Sequence, residues 1–325
     1  MSTYKEIRGV NIQSLDSDPT AARGEVWYNA STSKLKMYAF AAGTWASGGN
    51  LNTGREYIAG IGIQTAALAA TGSTSPGSQD NVESYDGSSW TEIADTNTAR
   101  GTASLNGDGT QTAGLVVGGA APGGTTGNTE SWNGTSWTEV GDLNTAKDQH
   151  AGSSEGTTTA SIAFGGGSPS PHTATTEIYD GSSWTEVADL NTSRERLTGC
   201  GTSTAALSID GATVPGAGAI QRTEQWNGSS WTEVADTSTV HYWGAAFGNT
   251  ANALVAGSYP AASHTDEWNG TAWAEAAAFS TSRVLHNAGT GGPGVEEGIL
   301  MGGVPVSTAC EEWTSALAAQ TVAFD

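Results

Sequence analysis

The chain has 325 residues, of which 37% are apolar and 14% charged, enough apolar surface to bury a core and too much for a disordered chain. Its formal charge of −21, from 33 acidic against 12 basic side chains, repels phosphate backbones and argues against nucleic acid and anionic membranes as partners. With 45 glycines, 12 tryptophans, only 3 Met and 5 Phe, the composition favours many short strands joined by tight turns, an all-β chain.

The first ten residues, Met1 to Val10, lack the apolar core of a signal peptide, and no later stretch approaches the roughly 18 apolar residues of a membrane span. The expectation is a soluble product made in the cytoplasm, without membrane insertion. Residues 1–42 read as an N-terminal attachment segment: Asp16-Ser-Asp-Pro-Thr20, then Gly24-Glu-Val-Trp-Tyr-Asn29, a Ser/Thr turn and Leu35-Lys-Met-Tyr38 form a β-hairpin pattern.

From Glu83 onward the chain repeats itself. Glu83-Ser-Tyr-Asp-Gly-Ser-Ser-Trp90 returns as Glu130–Trp137, Glu177–Trp184, Glu224–Trp231 and Glu267–Trp273, with a truncated Glu311-Glu-Trp313. The first glutamates are spaced by 47, 47, 47, 43 and 44 residues, a period at which each repeat is one four-stranded propeller blade. No long 3.6-residue periodicity supports a helical repeat.

Within one unit, residues 101–105 read as the innermost strand, Thr112–Gly118 as the second, Thr129–Trp132 as the third and Ser136–Val140 as the outer fourth. Asp86-Gly87, Asn133-Gly134, Asp180-Gly181, Asn227-Gly228 and Asn269-Gly270 link the last two strands and suit a two-residue hairpin turn with positive φ. Alternation along Trp-Thr-Glu-Val puts Trp90, Trp137, Trp184, Trp231 and Trp273 on one sheet face, where they can pack between blades.

A Trp, a loop ending in a basic residue, a Gly-rich strand, an apolar run ending in Gly-Gly and an aromatic before the next Trp together resemble the kelch repeat. The unit from Trp90 through Thr98-Ala-Arg100, Leu115-Val-Val-Gly-Gly119 and Trp132 to Trp137 carries the likeness, which spans about residues 44–313. The doublet is kept at Gly118-Gly119, Gly165-Gly166 and Gly302-Gly303 and replaced at Thr71-Gly72, Asp210-Gly211 and Gly257-Ser258. The Trp27-Tyr28-Asn29 opening and the Asn-Thr-x-Arg and Gly-Ser-Ser-Trp-Thr-Glu repeats are also similar to kelch-like virion proteins of marine tailed phages, including tail-fibre and appendage proteins.

Six pairs of first and second strands, near 57–71, 101–119, 150–166, 197–211, 242–257 and 286–303, imply a six-bladed β-propeller over residues 43–313. The sixth unit lacks a fourth strand after Trp313, whereas Gly43-Thr-Trp45 precedes Asn52-Thr-Gly-Arg55 as Trp90 precedes Arg100. The N-terminal strand is therefore expected to complete the last blade and close the ring. Residues 314–325 read as a C-terminal tail. The alternative is seven blades, with residues 25–39 and 320–325 building another.

Antiparallel blades put the fourth-to-first and second-to-third connections on one face. The second-to-third connections, Ser73–Asn81, Ala120–Asn128, Gly167–Thr175, Ala212–Arg222, Ser258–His264 and Val304–Ser307, vary in length and content as recognition loops do. On the same face Arg55, Arg100, Lys147, Arg194, His241 and Arg283 recur at one repeat position. They form either a basic collar for an acidic glycan or carboxylate, or structural ties from each loop to its blade. His172, Arg222, Tyr259 and His264 break the symmetry and are further candidate contacts.

No nucleophile, zinc-protease or phosphate-loop motif is present. Ser84–Trp90 departs from the sialidase Asp-box in spacing, and the five histidines, 150, 172, 241, 264 and 286, fall one per unit without clustering. Cys200 and Cys310 form no metal-ligand pattern and read as buried apolar residues. The expectation is a non-enzymatic protein without metal or cofactor. The phage resemblance implies a virion surface or tail-associated location, attachment to other virion proteins through the N-terminal segment within an oligomeric assembly, and host adsorption by receptor or carbohydrate binding. A purely architectural decoration and a glycan-active hydrolase or lyase are the alternatives.

Overall fold

A computed structural model describes residues 12–20, 25–40, 42–74, 77–101, 106–167, 172–214, 217–259, 262–285, 289–292 and 294–322. The chain forms two compact units: residues up to Gly43 together with those from Ser315 onward, and Thr44–Thr314. All regular structure among the described residues is β.

The larger unit contains six antiparallel four-stranded sheets among the described residues. The first is Ala59–Ile63, Ala66–Thr74, Gly77–Tyr85 and Trp90–Glu92. The second is Asn106–Thr110, Ala113–Val117, Thr129–Trp132 and Trp137–Glu139, and the third Ala151–Gly152, Ser161–Phe164, Thr176–Tyr179 and Trp184–Glu186. The fourth is Thr198–Thr202, Ala205–Ile209, Thr223–Trp226 and Trp231–Glu233, and the fifth Ala245–Gly248, Ala253–Ser258, Ala262–Trp268 and Trp273–Glu275. The sixth joins Gly289–Gly291, Glu297–Met301 and Cys310–Thr314 to Thr44–Ser47, with Trp45 opposite Trp313. In the second sheet the first strand begins at Asn106; the expected strand at 101–105 falls largely outside the described residues. First strands of successive sheets are neighbours, and that of the sixth also neighbours that of the first.

Apolar second strands and the fourth-strand tryptophans make the core between sheets. Ile162 and Phe164 of the third sheet pack with Trp226 and Trp231 of the fourth, and Leu207 and Ile209 of the fourth with Trp268 and Trp273 of the fifth. A fully buried indole N–H needs an acceptor, and the preceding sheet supplies it. Trp184 donates to Thr129 Oγ1 at 3.1 Å, Trp231 to Thr176 Oγ1 at 3.1 Å, Trp273 to Thr223 Oγ1 at 3.2 Å and Trp45 to Thr265 Oγ1 at 3.2 Å. Where Val82 and Cys310 stand at that Thr position, Trp137 and Trp90 donate to the carbonyls of Ala94 and Gly49 instead. Trp45 thus takes the bond of a repeat tryptophan.

The Asx-Gly connections differ from the two-residue turn expected. Tyr85 faces Trp90, leaving four residues in the loop. Asp86 Oδ1 accepts the N–H groups of Ser88 and Ser89 at 2.9 and 2.8 Å while Gly87 takes φ 90°. The Asx side chain caps the loop, which frees it from the two-residue geometry. The same bonds hold the Asp86 and Asp180 carboxyls down at about 2.

Among the described residues, several second-to-third connections carry further strand pairing. In the first and fifth sheets the two strands run on past irregularities at Ala70/Gly72 and Ala256/Ser258, which places His264 within a strand. In the second and fourth, the ribbons Ala120–Ala121/Gly124–Thr125 and Ala212–Val214/Ala217–Ala219 form separate pairs.

The smaller unit is one four-stranded sheet. Gln13–Leu15 lies parallel to Val26–Asn29, which pairs with Lys34–Phe40, and that strand pairs with Leu317–Thr321. Residues read as a tail thus supply a strand. Asp18 organises the unit, accepting from Trp27 Nε1, Asn29 Nδ2 and Lys36 Nζ.

Candidate functional site

The six repeated basic residues are internal. Arg55, Arg100, Lys147, Arg194, His241 and Arg283 are at most 1% exposed; the Arg and Lys side chains are ion-paired with a carboxylate of their own sheet, and His241 Nε2 lies against one. The partners are Glu83, Glu130, Glu177, Glu224, Asp266 and Glu311, at 2.9, 2.7, 3.2, 2.9, 3.3 and 2.6 Å. Register fixes the fifth partner as Asp266, two residues before the paired Trp268, so Glu267 is not the equivalent of Glu224 as the run of first glutamates suggested.

Each basic side chain also gathers backbone carbonyls. Arg194 Nη1 donates to Asp210 O at 3.3 Å and Arg222 O at 2.7 Å, and Arg55 Nη1 to Thr71 O at 2.9 Å and Asn81 O at 2.7 Å. The second carboxylate oxygen takes the loop backbone: Asn52, Asn97, Asn144 and Asn191 N–H donate to Glu83, Glu130, Glu177 and Glu224 at 2.6–2.7 Å. This explains the Asn-Thr-x-Arg sequence: one carboxylate fixes the start and the end of the loop. Burial lowers the Arg194 pKa to about 10, opposed mainly by Glu224, so it stays charged at neutral pH. Of the two readings of these six residues, a basic collar and structural ties, the geometry is that of buried clamps within each sheet.

Three of the symmetry-breaking candidates also lie apart from one another's chemistry. His172 is half-buried and offers its carbonyl to Ser193 Oγ at 2.7 Å. Arg222 donates to Thr192 Oγ1 at 2.6 Å and sits 3.6 Å from Glu233, and His264 is exposed. His286 lies outside the described residues. Tyr259, 54% exposed, belongs to a cluster that the sequence reading missed.

That cluster is built two residues beyond the clamp. Tyr57, Gln149, Arg196 and Trp243 occupy this position in the first, third, fourth and fifth units, all with φ between 51° and 60°. Left-handed backbone at non-glycine residues costs of order 1–3 kcal/mol each and persists only where surroundings impose it. Here a backbone chain imposes it: Arg196 N–H donates to Gln149 O at 2.9 Å, and Trp243 N–H to Arg196 O at 3.0 Å.

Side chains from separated sheets meet at this place. The Tyr57 and Trp243 rings, from the first and fifth units, lie edge-on at 6.2 Å, and Trp243 and Tyr259 edge-on at 6.0 Å. Tyr242 stacks on Trp243 at 5.2 Å. The Arg196 guanidinium lies 4.6 Å from the Trp243 ring centroid and 5.6 Å from that of Tyr242, its Nε donates to Gln149 Oε1 at 2.6 Å, and its Nη1 bonds the Tyr242 hydroxyl. Glu56, Asp148 and Glu195 stand one residue after the clamp, and Gln149 Nε2 donates to Asp148 Oδ1 at 3.4 Å. Glu195 Oε1 is 3.2 Å from Arg196 Nε, and burial raises the Glu56 and Asp148 carboxyls and the Tyr57 hydroxyl above their ordinary values.

The same residues tie the loops to one face. Glu56, Asp148 and Glu195 N–H groups donate to Ser73, Gly167 and Ala212 carbonyls of the second-to-third connections. Aromatic surface, amide, guanidinium and carboxylates thus converge where both sets of connections emerge. Among the described residues no group of three or more His, Cys, Asp or Glu is arranged to hold a metal. A readable signal did exist: the repeat position reads Tyr57, Thr102, Gln149, Arg196, Trp243 and Leu285, varying completely beside a nearly constant clamp.

No protein-family model matches the chain, and no curated protein matches it.

Proposed function

We propose that the larger unit is a closed, six-bladed, kelch-like propeller that serves as a non-catalytic binding module, taking a host-surface glycan on the cluster around Trp243. Six four-stranded sheets with neighbouring first strands support that ring, as does the sixth sheet's use of Thr44–Ser47 as its fourth strand. The observation that carries the binding reading is the convergence of Tyr57, Arg196 and Trp243, at strained, symmetry-breaking positions on an otherwise repetitive scaffold, with the exposed Tyr259. In the setting suggested by the phage-like repeats, the protein is a virion surface or tail-associated component, made in the host cytoplasm and held by its N-terminal segment to other virion proteins.

The architectural reading draws on a different observation, that the six recurring basic residues are all internal. A glycan array probed with the full chain, and again with Tyr259→Ala, separates the two. Retention of a host-derived glycan by the parent chain and its loss in the variant, with an unchanged urea midpoint, is expected. Silence across the array leaves the architectural role. Labelling on intact particles tests the location.

A further inference from the structure

We infer that the fifth clamp is a pH-releasable latch: it holds the loop carrying Tyr242 and Trp243 while His241 is protonated and lets that loop loosen as pH rises. Such a latch works whatever the Trp243 cluster binds, and so stands apart from the glycan reading.

Four of the six clamps use a guanidinium and one, Lys147, an ammonium. Only His241 offers an imidazole, the side chain whose charge changes between about pH 5 and 8. Its ring is fully buried, and both nitrogens face acceptors. Nδ1 lies 2.9 Å from Gly257 O, which can only accept, and Nε2 lies 3.3 Å from Asp266 Oδ2.

Asp266 is itself held as a carboxylate. Ser238 and Thr239 N–H groups donate to its Oδ2 at 2.8 and 3.2 Å, and the Ser238 hydroxyl donates to Oδ1. Burial pushes this carboxyl up, but His241 and the Ser238 and Thr239 bonds bring it below its ordinary value. Only the doubly protonated ring has a proton for each neighbour. A neutral ring with its N–H on Nδ1 turns a lone pair to the Asp266 carboxylate, and with its N–H on Nε2 turns one to Gly257 O.

A second carboxylate sharpens the dependence. Asp210, fully buried in the fourth unit, accepts the His241 backbone N–H at 2.6 Å. The cations around this group are committed elsewhere: Arg194 to Glu224 at 2.9 Å, Arg222 to Glu233 at 3.6 Å, and Arg283, whose carbonyl lies beside Gly257, to Glu311 at 2.6 Å. Loss of the His241 proton therefore leaves Asp266 and Asp210 buried with no cation of their own, an arrangement strongly disfavoured inside a protein.

Release is local. Ser238 and Thr239 keep Asp266, so the start of the loop stays fixed while its end at His241 comes free. The next two residues are Tyr242 and Trp243, whose rings lie against the Arg196 guanidinium, and Trp243 also meets Tyr57.

Amide hydrogen exchange of the full chain, corrected for the intrinsic rate at each pH, measures the latch, with the Arg194 loop as internal control. From about pH 5.5 to about pH 8, protection of residues 237–243 should fall by about tenfold or more while that of 190–196 changes little. His241→Arg should keep 237–243 protected at both pH values. His241→Gln, which carries no charge, should leave the loop as exchangeable at low pH as the parent's is at high pH, and this holds as a test even where an arginine does not fit beside the shorter Asp266. The fall should survive Asp210→Asn. Protection in the parent that is flat with pH, or that tracks 190–196, overturns the latch. So does a fall that persists in His241→Arg, one that vanishes in Asp210→Asn, or a His241→Gln loop protected like the parent's at low pH.

Discussion

Replacing Arg194 with Ala removes one clamp and exposes what it contributes. The side chain is fully buried and makes bonds of 2.7 Å to Arg222 O, 3.3 Å to Asp210 O and 2.9 Å to Glu224 Oε1. Breaking a buried pair costs roughly 3–5 kcal/mol because the remaining charge is uncompensated. Glu224 keeps the Asn191 N–H and Nδ2 donors at 2.7 and 2.8 Å, so the low end, about 3 kcal/mol, is expected. Arg194→Lys should cost less, since the third unit works with Lys147, which reaches Glu177 at 3.2 Å and Thr175 Oγ1 at 3.1 Å. The control is Arg222→Ala, whose 3.6 Å pair with Glu233 is solvent-exposed and contributes less than about 1 kcal/mol. Urea midpoints at constant m-value read all three. An Arg194→Ala loss no larger than that of Arg222→Ala would refute the clamp as a stabilising element.

Three further outcomes are expected. Thr176→Val strands the buried Trp231 indole N–H and should cost about 1–2 kcal/mol by the same assay; a loss near zero would mean the indole finds a carbonyl, as Trp137 does beside Val82. Gly166→Ala, at φ 98° with a new Cβ 2.5 Å from Asp148 O, should destabilise by more than about 1 kcal/mol, lowering the melting temperature. Burial lifts the Asp210 carboxyl to about 6, above its unfolded range near ~4, so its contribution is full below pH ~4 and lost as pH rises through about 6. Relative to Asp210→Asn, the parent chain should therefore lose about 2–3 kcal/mol between those limits, and a pH-independent difference would refute that role.

The repeat made the scaffold legible because each conserved-looking residue has one local task. Trp90 to Trp273 announce an interface, the Asx-Gly pairs announce a loop, and the missing fourth strand after Trp313 pointed to Trp45. What the sequence could not reveal is where a charged side chain spends its charge. Arg55 and Arg196 look alike in one dimension, yet one is buried against Glu83 and the other lies over Trp243. Pairing across some 30 residues decides the first, and convergence of the first, third, fourth and fifth units decides the second. Matching glutamates also placed Glu267 where register puts Asp266, because Asp replaces Glu at that repeat position and a glutamate follows it; Asp266 stands seven residues before Trp273 as Glu224 does before Trp231.

The fifth unit shows how scaffold and site are coupled. Its clamp is His241 with Asp266, where the others use Arg or Lys with Glu, and His241 Nδ1 lies 2.9 Å from a single carbonyl, Gly257 O. A weaker tie should leave this loop the loosest of the six, yet it carries Tyr242 and Trp243. The compensation comes from the fourth sheet. Asp210 stands where four of the other repeats have glycine and the first has Thr71, and it accepts the His241 N–H at 2.6 Å, the Thr237 hydroxyl at 2.9 Å and the Arg222 N–H at 3.1 Å. It does so from left-handed backbone, φ 53°, which Asp tolerates better than most residues. Three departures from the repeat, His241, Asp266 and Asp210, are thus one device: it replaces the arginine's reach within a blade by a carboxylate reaching between blades, and it stands directly beneath the residues that break the symmetry of the face.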